Sequence, residues 1–147
     1  MSAKSNTFEN DLLQLIFNNV DIADIGDASG LQNSATAGSL YVALHTGDPG
    51  EAGNATTSES AYGSYARVAV ARTVGGWTVS GNTASNAALV QFPECTSGSE
   101  TITHLSVTTA SSGASKILYK GALTASRAIS SGIQPQIAIG ALQISED

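Results

Sequence analysis

The side chains of this sequence that could begin nucleophilic or metal chemistry are His45 and His104, the single cysteine Cys95, and a surplus of serines. A Ser-His-Asp relay needs a histidine between an activated serine and an orienting carboxylate. No Gly-x-Ser-x-Gly elbow occurs, and the acid nearest His45 is Asp48, placed across a turn rather than along a helix face. The two histidines have no spacing that would complete a zinc site with an acid. Cys95 follows Pro93-Glu94, so it has an acid beside it and no nearby cation to favour the thiolate. Gly75-Gly76 and Gly47-x-x-Gly50 lack the following helix and the lysine of a phosphate cradle, and read as turns. The expectation is a chain with no catalytic residues, no metal site and no cofactor.

Other residues suit contacts better than chemistry. Asp21, Asp24 and Asp27 stand three apart, which is not the alternate-position ligand pattern of a calcium loop, and they read as a solvated acidic loop. Trp77, Tyr41, Tyr62, Tyr65 and Tyr119 could form a glycan or partner platform, but so few aromatics are needed first for packing. Tyr62, inside Ser-Glu-Ser-Ala-Tyr-Gly, is the one expected to be exposed. Arg67 and Arg72 are expected to pair on the surface with Glu51, Glu59 or a neighbour's carboxylates, for little gain.

The elements that position these residues follow from hydrophobic period. Asn6 and Glu9 make a capping-box-like start, and Phe8, Leu12, Leu15 and Ile16 form one apolar stripe, widened by Leu13 and Phe17. A helix so short needs a packing partner. It is expected to end at Asn18 or Asn19, and residues 20–38 read as a long loop. From Leu40 the period becomes two. Strands are expected at Leu40–His45, Tyr65–Thr73, Trp77–Ser80, Ala84–Phe92, Thr101–Thr109 and Ser115–Thr124, with short apolar pieces after them. Gly81-Asn82 marks a hairpin, and Glu51 to Ser64 an exposed excursion. About eight short strands argue for a mainly β domain: an antiparallel sandwich or jelly roll over residues 39–147, carrying a helix and arm over residues 1–38.

Composition bounds the function. Of 147 residues, 71 are Ala, Gly, Ser or Thr, and only 12% are charged. With 41% hydrophobic residues the chain is too apolar for disorder, yet no run of 18 apolar residues could span a bilayer. A net charge of −6 argues against nucleic acid as a partner. One cysteine excludes an internal disulfide framework. The polar stretch Met1 to Asn10 does not read as a signal peptide, so synthesis in a cytoplasm is expected.

Several segments carry a resemblance. Leu40-Tyr-Val-Ala-Leu-His-Thr-Gly-Asp-Pro-Gly-Glu-Ala-Gly53, Tyr65-Ala-Arg-Val-Ala-Val70 and Gly76-Trp-Thr-Val-Ser-Gly-Asn82 resemble a family of small tailed-bacteriophage virion proteins, as do Gly121-Ala-Leu-Thr-Ala-Ser126 and Gly140-Ala-Leu-Gln-Ile-Ser145. Such proteins are described as tail-fibre-like or as phage structural proteins. The resemblance covers roughly residues 7–147, departs from the usual pattern in a longer loop between Asn18 and Gly38, and implies a virion part with no catalytic residues. The function expected is that of a capsid cement, or decoration, protein, assembled in the host cytoplasm. Its partners would be the major capsid protein and further copies of itself, as a dimer or trimer on the shell, where many modest contacts add up. The contact residues expected are Phe8, Leu12 and Ile16, Asp21, Asp24 and Asp27, and Asp48, Glu51, Glu59 and Tyr62. The alternative is a tail component, fibre-associated or in the baseplate, involved in host attachment. The absence of β-helical repeats and heptads weighs towards the capsid.

Overall fold

A computed structural model describes residues 3–147. In chain order the elements are α1 (Asn6–Asn18), β1 (Ser39–His45), β2 (Val68–Ala71), β3 (Trp77–Ser80), β4 (Thr83–Asn86), β5 (Val90–Gln91), β6 (Ser99–Thr108), β7 (Ile117–Ser130), β8 (Gln136–Ile137) and β9 (Gln143–Ser145). The fold is mainly antiparallel β with one helix, as the alternation implies, and is consistent with a β-sandwich. Its sheets have the orders β2-β1-β6-β7, β3-β4-β9 and β5-β8, whereas a jelly roll divides eight strands between two sheets. The chain gathers into two compact units. One holds the residues up to Ser39 with Ala71–Leu89 and Ala138–Asp147; the other holds Leu40–Val70 and Val90–Ile137.

The first unit is built on α1. The cap is Ser5, one residue before the expected Asn6: its hydroxyl accepts from the Phe8 N–H at 3.3 Å. The helix closes at Asn19, whose left-handed backbone (φ 57°) turns its N–H onto the Gln14 carbonyl. The core-facing line runs through Glu9, Leu13 and Phe17, while the expected stripe of Phe8, Leu12 and Ile16 is only half-buried. Leu13 and Phe17 win because they meet a partner: the Phe17 ring lies 4.7 Å from that of Trp77, which is itself fully buried. Trp77 begins β3, which pairs with β4 through the two-residue Gly81-Asn82 turn that the sequence signals. β9 then adds to β4, and Asn82 exchanges hydrogen bonds with Glu146.

Helix α1 has no basic residue in its last turn. Arg72 fills that role from outside it. Its Nε donates to the Ile16 carbonyl and one Nη to the Leu15 carbonyl, both at 2.6 Å, and the other Nη reaches Ala37 O and Ser34 Oγ at 3.2 Å. A guanidinium at the negative end of the helix dipole satisfies carbonyls that the helix leaves open. The expected ion pair for Arg72 is thus corrected: its partners are three peptide carbonyls and the Ser34 hydroxyl.

The segment after the helix is ordered by its own backbone. Ile22 and Leu31 exchange both peptide hydrogen bonds, and Ile22 is buried. Asp27 Oδ1 accepts from the N–H groups of Ser29 and Gly30, and Asp21 Oδ1 from that of Asn33. Gly30 has φ +64° and stands so close to Ile22 that a Cβ would lie 1.8 Å from its carbonyl oxygen.

In the second unit β1 and β6 form the centre of the four-stranded sheet, with Val42 against Val107 and His45 against His104. β7 continues to Ser130, longer than expected, because β6 pairs along it on both sides of a bulge where Thr103 faces Leu123–Ser126. The expected strand Ala84–Phe92 is interrupted after Asn86, and its end pairs with β8 instead.

Removing the external helix cap should be costly. Arg72→Ala is expected to lower the unfolding free energy by about 2 kcal/mol, from charge-assisted hydrogen bonds lost at part-buried carbonyls. Arg72→Lys should recover only part of it. Denaturant titration followed by circular dichroism measures both, and a loss for Arg72→Ala within experimental error contradicts the assignment.

Candidate functional site

The polar residues of the second unit converge on one face of its four-stranded sheet. Residues opposite each other across strands share a face, so Tyr41, Ala43 and His45 of β1 lie with Thr108, Ser106 and His104 of β6. The excursion after β1 folds back over this face. Thr46 and Ser60 bond through their peptide N–H groups to Ser58 O and Leu44 O, and Ala55 N–H reaches Ser115 O. The segment Gly47 to Gly53 depends on glycine for a close approach: a Cβ on Gly53 would stand 1.9 Å from the Pro49 carbonyl oxygen.

His45 is fully buried beneath the excursion. Its Nδ1 is 2.9 Å from Thr57 O and its Nε2 is 2.7 Å from Ser106 Oγ. A carbonyl can only accept, so Nδ1 carries the proton and Nε2 accepts from the hydroxyl. This serine–histidine contact lacks a carboxylate on Nδ1, and both side chains are buried, so its role in the geometry is to tie the excursion to β1 and β6. Burial lowers the His45 pKa below its ordinary 6.5, against the raising effects of Thr57 O and the Glu59 carboxylate. His104 sits across the strand pair with its Nδ1 on Thr103 Oγ1.

Arg67 is the hub of this network, with its side chain 1% exposed. Nε and one Nη grip the two oxygens of Glu59 at 2.6 and 2.8 Å. The remaining donors reach Gly113 O, Ala110 O and Ser115 Oγ, which fixes the β6–β7 turn. Tyr65 adds to the same carboxylate and accepts from the Leu44 N–H, and burial raises its phenol pKa far above the ordinary value. The expected Arg67–Glu59 pair therefore forms, but inside the unit rather than on its surface.

The expected contact residues are scattered. Asp24 is exposed, and so are Asp21 and Asp27, although both of the latter serve loop closure. Asp48 and Glu51 are exposed and share Lys120, at 3.0 and 3.5 Å. The Gly50 N–H and the Lys120 ammonium hold the Asp48 carboxyl below the usual range. Glu59 is committed to Arg67, and Tyr62 is buried, against expectation. The Tyr62 hydroxyl donates to Pro93 O, its ring meets Tyr65 edge-on at 5.4 Å, and its burial pushes its pKa up to about 12. Trp77 is buried too, so neither it nor Tyr62 is available to the suggested glycan or partner platform. Cys95 is buried and its thiol faces Ser97 O. Among the described residues no three His, Cys, Asp or Glu side chains could hold a metal together. No helix among them is long and apolar enough to cross a membrane.

Two features escaped the residue types that sequence reasoning favours. Asn86 is 1% exposed and its amide joins Ala88 O, Ala138 O and the Leu142 N–H. Val74 and Ile139 are 78% and 68% exposed. The available signal was the lack of charge around them: no Asp, Glu, Lys, Arg or His lies between Arg72 and Glu94 or between Arg127 and Glu146.

Residues 3–145 match the family of the podophage GP4 fiber I protein gp80. The chain belongs to that family. It is thereby one of a family of phage virion structural proteins, as the resembling segments imply. No curated protein matches the chain. The gp80 match spans both units, so the helix and its loop are as much part of the family pattern as the sheet that follows.

Two results would test this network. Arg67→Ala should destabilise the protein by about 3 kcal/mol or more by leaving Glu59 and the turn carbonyls without a donor. Arg67→Ala combined with Glu59→Ala should cost clearly less than the two single changes summed, measured as a double-mutant cycle in denaturant; strict additivity contradicts a coupled pair. Because the folded His45 pKa lies below its unfolded value, the unfolded chain takes up the proton first as pH falls. Its contribution is complete above about pH 6.5 and is lost as pH drops towards the depressed folded value. His45→Gln should flatten the fall in stability between about pH 7.5 and about pH 5, and an unchanged slope rejects the assignment.

Proposed function

We propose that this chain is a non-catalytic structural module of the fibre apparatus of a podophage tail, made in the host cytoplasm and built into the virion. The observation that carries this reading is the match to a fibre protein family over residues 3–145. It favours the tail alternative over the capsid-cement reading. The missing β-helical repeats and heptads, which weighed towards the capsid, describe a fibre shaft; a compact β module at a fibre's root or junction needs neither.

The architecture supports a load-bearing part. Internal charge is spent on holding elements together: Arg67 and Arg72 are each surrounded by acceptors within their own unit. The His45–Ser106 contact is closed off from solvent, which suits a scaffold better than a hydrolase. Host contact, where this module makes it, falls to exposed loops rather than to Tyr62 or Trp77.

Deleting the gene separates the readings. A fibre module predicts particles that adsorb to cells at a fraction of the normal rate, with heads that keep their resistance to heat and chelator. Normal adsorption together with heat-fragile heads contradicts it and restores the cement reading.

A further inference from the structure

The excursion that follows β1 closes on itself before it leans on the sheet. Its neck is double: the Thr46 N–H donates to Ser58 O and the Ser60 N–H to Leu44 O, both at 2.8 Å. Glu59, between Ser58 and Ser60, is gripped by Arg67. Within the neck, Asn54 organises a turn, its Oδ1 accepting from the Thr56 N–H and its carbonyl from the Thr57 N–H. A compact loop whose ends are joined can move as one piece. From Gly47 to Thr57 only Pro49 and Ala55 are buried, so no large apolar side chain anchors this loop. Polar contacts hold it down: the Ala55 N–H on Ser115 O at 3.0 Å, Asp48 and Glu51 on Lys120, and Thr57 O on His45 Nδ1 at 2.9 Å. Segments with few buried apolar contacts open at lower free energy than the core beneath them.

One of those contacts changes with a proton. Neutral His45 donates from Nδ1 to Thr57 O and accepts at Nε2 from the Ser106 hydroxyl. A second proton makes Nε2 a donor as well. Ser106 must then turn its own hydrogen away, yet it is 2% exposed and its hydroxyl has no other hydrogen-bond partner among the described residues. The added charge also sits in a closed site. Burial weighs most against it; Thr57 O and the Glu59 carboxylate favour it, whereas Arg67, just ahead of β2, and His104, directly across on β6, oppose it. Lifting the loop relieves the conflict, because water then reaches the ring. We propose that Gly47–Thr57 is an acid-released flap: a proton taken up by His45 opens it while the Glu59–Arg67 neck and the sheet stay folded. The inference goes beyond the fibre reading and does not depend on it.

Amide hydrogen exchange of the full chain, resolved by NMR between about pH 7.5 and about pH 5 and corrected for intrinsic rates, tests this. The Ala55 N–H, bonded across to Ser115 O, is the reporter. Its open population should grow by up to about tenfold per pH unit as pH falls from about 6.5 towards the depressed closed-state value of His45. Growth should stop where the His45 ring, followed in the same samples, has become charged. Amides of β1 and β6 should stay at least about a hundredfold better protected throughout. His45→Gln keeps a donor for Thr57 O and cannot titrate in this range, so the pH dependence should vanish. Lys120→Gln frees Asp48 and Glu51 and should raise opening by one factor at every pH. The inference is overturned if Ala55 is as well protected as β1 and β6, if its opening ignores pH, or if growth continues after His45 is charged. The same slope in His45→Gln, or an altered slope in Lys120→Gln, also overturns it. None of these readouts bears on the fibre reading, which the adsorption of deletion particles decides.

Discussion

A guanidinium removed from water must have its donors met, and this requirement organises both units of the protein. In one, Arg67 engages both oxygens of Glu59 and the acceptors Ala110 O, Gly113 O and Ser115 Oγ. The excursion, β2 and the β6–β7 turn are thereby held by one side chain. In the other, Arg72 closes the C-terminus of the helix and gathers Ser34 and Ala37 from the loop that follows. A lysine in either place would present three donors from a point rather than a planar fork, and could not reach as many partners. The chain has only six basic residues, and two of them do this work.

The abundance of small residues fits the same economy. Strands rich in Ala, Thr and Ser leave little room for bulky cores, so each large side chain has a specific neighbour: Phe17 on Trp77, and Tyr65 between Tyr62 and Phe92. Polar contacts then supply much of the specificity, as Asn86 does for the loops around it. A module built this way suits a virion: it is acidic overall, and its two most connected cations, Arg67 and Arg72, are each engaged within their own unit.

What the sequence revealed was local. Alternation located β1, β3 and β6 closely, and the Gly81-Asn82 turn fell where expected, because period and turn chemistry are properties of neighbouring residues. Choices between faces were less legible. Phe8, Leu12 and Ile16 have the same helical period as Leu13 and Phe17, and only the position of Trp77 decides which line is inside. Tyr62 sits in a Ser- and Gly-rich segment that looks exposed, yet the segment around Gly63 pairs with Thr96 and Ser97 and covers it. Beyond Glu59, the partners of Arg67 lie more than forty residues away at the β6–β7 turn, a distance that no spacing argument spans. The exposed apolar side chains Val74 and Ile139 were legible only as an absence of charge around them.

The central claim is that this module belongs to the fibre apparatus. Gold-labelled antibody against the chain, imaged on intact particles by electron microscopy, tests it most directly. The account predicts label confined to the tail, at a few positions per particle. Label distributed over the surface of the head would contradict it.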